Sequence, residues 1–246
     1  MNGQPALRVT GLGVAYDRVP AVDGAELELA AGRVYGLVGA NGSGKSSFFG
    51  AVMGRLPLAS GTVEIFGLTG RAARARSLVA FLPQADDLAA DLPWSVEEVV
   101  ATGRYGRLGP TRRLRPADRA AVAEALRRVG LPELARRPIG ELSGGQRKRV
   151  LIARAIAQEA RLIILDEPFA GVDEAATAAI SGVLRELGDT GVTVLLASHD
   201  LDGLVGLCDE VLLWARRVVR RGDPAEMIRP EALLDVFGLS VREDRR

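Results

Sequence analysis

Gly39-Ala40-Asn41-Gly42-Ser43-Gly44-Lys45-Ser46 sits between an apolar strand-like run, Arg33–Val38, and a helix-like run from Ser46 to about Met53 that Gly54 can end. The octet fits G-x-x-x-x-G-K-[ST], and a strand before it with a helix after it is the context that pattern requires. Glycines let such a loop curl until successive N–H groups point inward at phosphate oxygens, and the start of the helix adds partial positive charge. Lys45 then lies across the β- and γ-phosphates of a nucleotide, and the Ser46 hydroxyl is placed to ligate Mg²⁺. Gly39, Asn41, Gly42, Ser43, Gly44, Lys45, Ser46 and Ser47 are thus the candidate nucleotide-binding residues of this segment. Of 32 basic residues only Lys45 and Lys148 are lysine. A compact ammonium fits among phosphates where a planar guanidinium does not, which accounts for Lys45. Lys148 has no such reason in the sequence.

Outward from the loop, Leu7–Tyr16, Ala25–Leu29 and Thr62–Phe66 read as further strands in the N-terminal third, and Leu78–Leu82 as another stopped by Pro83. Downstream, a long amphipathic helix is expected from Ser143 to about Ala160, then strand Leu162–Leu165, helix Glu174–Leu187, and strands Val192–Ala197 and Val211–Ala215. This alternation predicts a largely parallel sheet covered on both faces. Between about Ala85 and Glu141 the character changes. Helix-like runs Glu97–Thr102 and Ala117–Val129 flank an arginine-rich connector, Arg104–Arg115, and the stretch reads as a helical insertion in an α/β chain. The connector fits either a coupling segment or a solvated basic loop. The charged tail Arg242–Arg246 is expected to fray.

Two other places carry chemistry. Leu162–Leu165 ends in Asp166-Glu167; at the carboxyl end of a parallel strand Asp166 can hold Mg²⁺ through water and Glu167 can polarise an attacking water. Leu142-Ser143-Gly144-Gly145-Gln146 opens the long helix, where a Ser cap and two glycines leave N–H groups at a positive helix end, a second anion site. Composition narrows the partners. With 32 basic and 31 acidic residues the net charge is +1, against the basic excess of a nucleic-acid binder. No apolar run approaches the roughly 18 to 20 residues that span a bilayer. No secretory signal is visible, and a single cysteine, Cys208, suits a reducing cytosol. The single histidine, His199, by itself reads as a core or capping residue and makes a His-rich metal site improbable.

In this order, the phosphate loop, a lone Gln84, the LSGGQ segment Leu142–Gln146, Asp166-Glu167 and His199 resemble the ATP-binding subunits of ABC transporters over nearly the whole chain. The resemblance implies a phosphate-loop NTPase core of ABC type with an N-terminal antiparallel β-subdomain. Its core would be about residues 1–84 and 142–246, and its helical subdomain about 85–141, all within one ATPase domain. It implies that Tyr16 stacks on adenine, that Gln84 senses Mg²⁺ and the attacking water, and that His199 contacts the γ-phosphate. Asp173, in Ala-Gly-Val-Asp, resembles the loop that meets a partner subunit, although the family more often has Ser-Ala-Leu-Asp. Glu167, His199, Gln84 and Lys45 are then the catalytic candidates; Ser46, Gln84 and Asp166 would hold the metal; and Ser143, Gly144, Gly145 and Gln146 would contact nucleotide.

One phosphate loop and one signature per chain imply a head-to-tail homodimer with two ATP molecules sandwiched between copies. The remaining partners implied are integral membrane permease subunits and a substrate-binding protein, with the chain peripheral on the cytoplasmic face and no nucleic acid involved. Asp91–Val96 and Gly103–Gly109 resemble importers of manganese, zinc and related divalent metals, while ferric-siderophore and cobalamin importers share a similar Gly-Arg-Tyr segment. Arg220–Pro224 and Val236–Leu239 suit both groups. A soluble ABC-type ATPase without transport and an exporter subunit are the remaining alternatives, and the intact Lys45, Asp166, Glu167 and His199 argue against a non-enzymatic nucleotide-binding module.

Overall fold

The computed structural model describes residues 4–84, 93–108 and 113–238. The first third comprises β1 (Leu7–Tyr16), β2 (Val19–Leu29), β3 (Val34–Val38), α1 (Lys45–Val52), β4 (Ser60–Ile65), β5 (Leu68–Thr69), α2 (Gly70–Ala75) and β6 (Val79–Leu82). A helical stretch follows, with α3 (Val96–Ala101), a 3₁₀ turn over Thr102–Arg107 and α4 (Pro116–Arg128). The remainder is α5 (Gly144–Ala157), β7 (Leu162–Asp166), α6 (Glu174–Asp189), β8 (Thr193–Ala197), α7 (Leu201–Leu207), β9 (Glu210–Trp214), β10 (Val218–Gly222), α8 (Pro224–Met227) and α9 (Pro230–Phe237).

The strands form two sheets. One is antiparallel, in the order β2-β1-β4-β5; the other runs β10-β9-β3-β8-β7-β6 and is parallel except for β10. The chain is therefore the mixed α/β fold that the sequence predicts. The parallel strands are apolar except at their ends, at Asp166, Thr193 and Glu210, because both faces are covered, and successive side chains point to opposite sides. Ile163, Leu165, Val194, Leu196, Val211 and Leu213 face one core, shared with α3, α4, α5 and α6. Leu162, Ile164, Leu195, Ala197, Leu212 and Trp214 face the other, shared with α1 and the antiparallel sheet. The helical insertion thus packs through the same core as one face of the parallel sheet.

Several expectations shift at their edges. Strand β2 begins six residues before Ala25, and the helix from the signature stops at Ala157, short of Ala160. Its end is set by Glu159, which adopts φ 57, and by Gln158, whose side-chain amide donates to the carbonyls of Ser77 and Val79 at 3.2 and 2.8 Å. The arginine-rich connector does not begin as a solvated loop. Arg104 is buried, donates to Asp118 at 3.0 Å, to Glu159 at 2.7 Å and to the Ala157 carbonyl at 2.8 Å, and so ties the 3₁₀ turn to α4 and to the end of α5. The expected features at Asp91-Leu92, Gly109, Leu239 and Arg242–Arg246 lie outside the described residues. Among the described residues no helix is long and apolar enough to cross a membrane.

Candidate active site

Strands β3, β6, β7 and β8 run parallel, so their carboxyl ends open on one edge of the sheet, where ligands of such sheets gather. Each end contributes: β3 leads into the phosphate loop, β6 into Pro83-Gln84, β7 into Asp166-Glu167 and β8 into Ser198-His199. Together they line a cavity of about 280 Å³. Its walls are residues 41–47, Ala21, Gln84, Asp166, Glu167 and His199. Seven consecutive loop residues from Asn41 to Ser47 therefore surround the same space as all four catalytic candidates. Ala21 is the wall residue that sequence reasoning missed; its place beside the loop follows from the β1–β2 hairpin.

The loop's shape needs its glycines at particular points. Gly44 has φ 93, and a Cβ there would fall 2.0 Å from the Ala21 carbonyl oxygen, so a side chain is excluded twice over. The Lys45 ammonium is buried and donates to the carbonyls of Gly39 at 2.6 Å and Ala40 at 3.3 Å. Burial pulls its pKa below the usual lysine range, against the opposite influence of Glu167 and Asp166. The Ser46 hydroxyl donates to Asp166 Oδ2 at 2.9 Å, uniting the two expected metal-holding groups across 120 residues of chain. Burial pushes the Asp166 carboxyl up, opposed by that hydrogen bond and by Lys45 and His199.

Glu167 is held in an unusual backbone conformation. Its φ is 55, a left-handed value uncommon outside glycine, with its N–H donating to the Ala197 carbonyl at 3.1 Å and its own carbonyl accepting from Ala170 at 3.3 Å. The carboxylate is buried, and His199 Nε2 stands 3.0 Å from Oε1. That approach is close enough for an ion pair but lies outside hydrogen-bond alignment, leaving Oε1 without a hydrogen-bond donor among the described residues. The Ser43 hydroxyl is likewise buried and without one. Tyr16 is exposed at the end of β1, with its hydroxyl 3.4 Å from Ser47 Oγ.

Ser143–Gln146 stands apart from this cavity, at the start of α5. Ser143 Oγ accepts from the Gln146 N–H at 3.2 Å while Gln146 Oε1 accepts from the Ser143 N–H at 3.0 Å, a reciprocal cap. The cap occupies part of the donor set that the sequence left open for an anion. Gly145 permits close packing on α6, since a Cβ there would fall 2.5 Å from Ala176 Cβ. Asp173 caps α6 by accepting from the Ala176 N–H at 2.7 Å. Lys148, unexplained by the sequence, reaches from α5 to the carbonyl of Ala170 in the loop that follows Glu167.

Residues 22–170 match the sequence profile of the ABC transporter family, a span that contains the phosphate loop, the signature and the acidic strand end. The chain belongs to that family. The manganese transport system ATP-binding protein MntA of Synechocystis sp. is 41% identical over 94% of this chain and 90% of its own length. The zinc transport system ATP-binding protein TroB of Treponema pallidum is 39% identical over 95% of this chain and 87% of its own. Among solved structures, an ABC transporter described as metal-chelate type, in an inward-facing conformation, superposes with a TM-score of 0.83 at 27% identity, covering 96% of this chain and 90% of that one. As an ABC ATPase, the chain has both the membership and the fold that its motifs imply.

Proposed function

We propose that this chain is the ATP-hydrolysing subunit of a membrane importer whose cargo is a divalent metal ion such as manganese or zinc. The observation that carries the ATPase reading is the convergence of the phosphate loop, the Ser46–Asp166 pair and the Glu167–His199 pair on one cavity. The loop's N–H groups and Lys45 bind the β- and γ-phosphates, and exposed Tyr16 stacks on the adenine. Ser46, Asp166 and Gln84 offer only oxygen donors of the hard kind that Mg²⁺ prefers, and two of the three are already in contact. Mg²⁺ held there supplies neutralisation of charge on the phosphate oxygens. Glu167 takes a proton from a water whose oxygen bonds to the γ-phosphorus. The bond from that phosphorus to the bridging oxygen breaks, giving ADP and inorganic phosphate, while His199 contacts the γ-phosphate and flanks the carboxylate.

Ser143, Gly144, Gly145 and Gln146 serve the ATP held by a second copy of the chain, which explains why they lie outside the cavity of their own. The assembly is a head-to-tail homodimer in which Asp173 meets the partner. Residues of about 1–84 and 142–246 form the nucleotide-holding core, and about 85–141 dock on integral membrane permease subunits at the cytoplasmic face. A substrate-binding protein delivers the cargo, and nucleic acid plays no part. Relatives named for manganese and zinc transport at 41% and 39% identity support the choice of cargo over a siderophore.

The test is reconstitution of the chain with its permease in liposomes. ATP-driven uptake of Mn²⁺ or Zn²⁺ is expected, and Lys45→Ala abolishes it. Indifference to both metals together with stimulation by a ferric siderophore would transfer the chain to the other importer group.

A further inference from the structure

Trp214 ends β9 and is fully buried, yet it makes a polar contact with the phosphate loop 171 residues earlier in the chain. Its indole N–H donates to the Ser43 carbonyl at 2.9 Å, and the backbone N–H of Arg216, two residues on, donates to the same oxygen at 2.9 Å. One donor comes from the end of β9 and the other from the turn between β9 and β10, which is itself tied to β2 by the Asp23 N–H donating to the Arg216 carbonyl at 3.0 Å. The end of β9 also fits closely against the start of the loop. A Cβ on Gly39 would fall 2.5 Å from the Trp214 carbonyl oxygen. The indole ring also packs on Phe48 of α1, with centroids 4.6 Å apart and planes tilted by 41°.

A trans peptide unit points its C=O and N–H in opposite directions. Fixing the Ser43 carbonyl outward, onto the turn, therefore fixes the Gly44 N–H inward, toward the cavity that Gly44 lines. Two donors on one carbonyl hold that peptide plane far more firmly than one, and a held plane spares the ordering cost when phosphate arrives. We infer that Trp214 is a positioning residue for phosphate binding, acting through the Ser43–Gly44 peptide. This rests on the phosphate loop being the ATP site proposed above, and it adds a residue that the motif itself does not contain.

Trp214→Phe keeps an aromatic ring against Phe48 and removes only the N–H and the second ring. With full-length protein, the KM for ATP and the dissociation constant for ADP are expected to rise about fivefold, the size of one lost neutral hydrogen bond, while kcat stays within about twofold. A purely structural tryptophan would lower thermal stability without that split between KM and kcat, and unchanged nucleotide affinity in a folded Trp214→Phe protein overturns the inference. A second protein, Trp94→Phe, leaves Trp214 as the sole tryptophan and keeps the turn intact. Its emission should change little on adding ADP, as for a contact already in place; a large shift that tracks nucleotide binding would mean that the contact forms only with nucleotide and also overturns it. Failure of wild-type protein to bind any nucleotide would instead sink the ATP-site reading on which the inference stands.

Discussion

His199 Nε2 stands 3.0 Å from Glu167 Oε1, joining the end of β8 to the end of β7 in the wall of the cavity. The two groups differ in setting: the glutamate side chain is 8% exposed and the histidine 51%. Glu167→Gln keeps the shape of this arrangement and removes the proposed base. Phosphate release should fall 10²- to 10⁴-fold, as for loss of a general base, with ATP affinity retained. On size-exclusion chromatography with ATP and Mg²⁺ the variant should accumulate as dimer; hydrolysis at the wild-type rate would remove Glu167 from the mechanism.

The proposed metal-holding pair, Ser46 and Asp166, allows metal binding to be tested apart from nucleotide binding. Asp166→Asn should raise the Mg²⁺ concentration for half-maximal ATPase activity by about tenfold or more, as for groups that act on a metal through bound water. Affinity for ATP measured in EDTA should stay near wild type. A metal titration of both proteins distinguishes this outcome from general damage to the site, which would weaken both.

Acid stability should depend on Asp118. The Arg115 N–H and the Arg104 guanidinium hold its carboxyl below the usual carboxylate range. A depressed folded-state pKa gives stability that is fully present above the unfolded value and lost as the pH falls through the folded one. Between neutral pH and about pH 3 the urea midpoint of wild-type protein should therefore drop further than that of Asp118→Asn. Parallel pH profiles of the two proteins would contradict the assignment.

Lys148 links the signature helix to the loop behind Glu167, because its ammonium binds the Ala170 carbonyl and the Ala170 N–H binds the Glu167 carbonyl at 3.3 Å. Lys148→Met should slow turnover by roughly 3- to 10-fold without changing ATP affinity, and Lys148→Arg should recover most of the loss. Steady-state ATPase assays on the three proteins suffice to check it.

The parts of this protein that could be read from its sequence are those whose meaning is local. The phosphate loop, the apolar strand ending in Asp166-Glu167 and the signature each carry their chemistry within eight residues, so spacing and neighbours decide them. Parallel strands such as Leu162–Asp166 announce themselves because burial on both faces removes every polar residue but the last. What escaped depends on distant partners. Arg104 looks like one more arginine in a basic run until Asp118 and Glu159 close on it. β10 escaped because Val218–Gly222 is short, basic and on a sheet edge, and α8 because it is four residues long. Trp214 read as strand and nothing more, since its polar partner lies 171 positions away.

The placement of β3 also governs when the protein can become functional. β3 is complete at Val38, but its two neighbours in the sheet are β8 and β9, which end at Ala197 and Trp214. A chain emerging from the ribosome therefore makes its phosphate-binding segment early and must hold it unpaired for more than 150 residues of synthesis, since β8 begins at Thr193. Contacts of such sequence separation form slowly, and unpaired apolar strands invite aggregation while they wait. The nucleotide site closes only when the last strands arrive, so a truncated or stalled chain ending before Trp214 carries the whole phosphate-loop motif and lacks the structure that would let it bind.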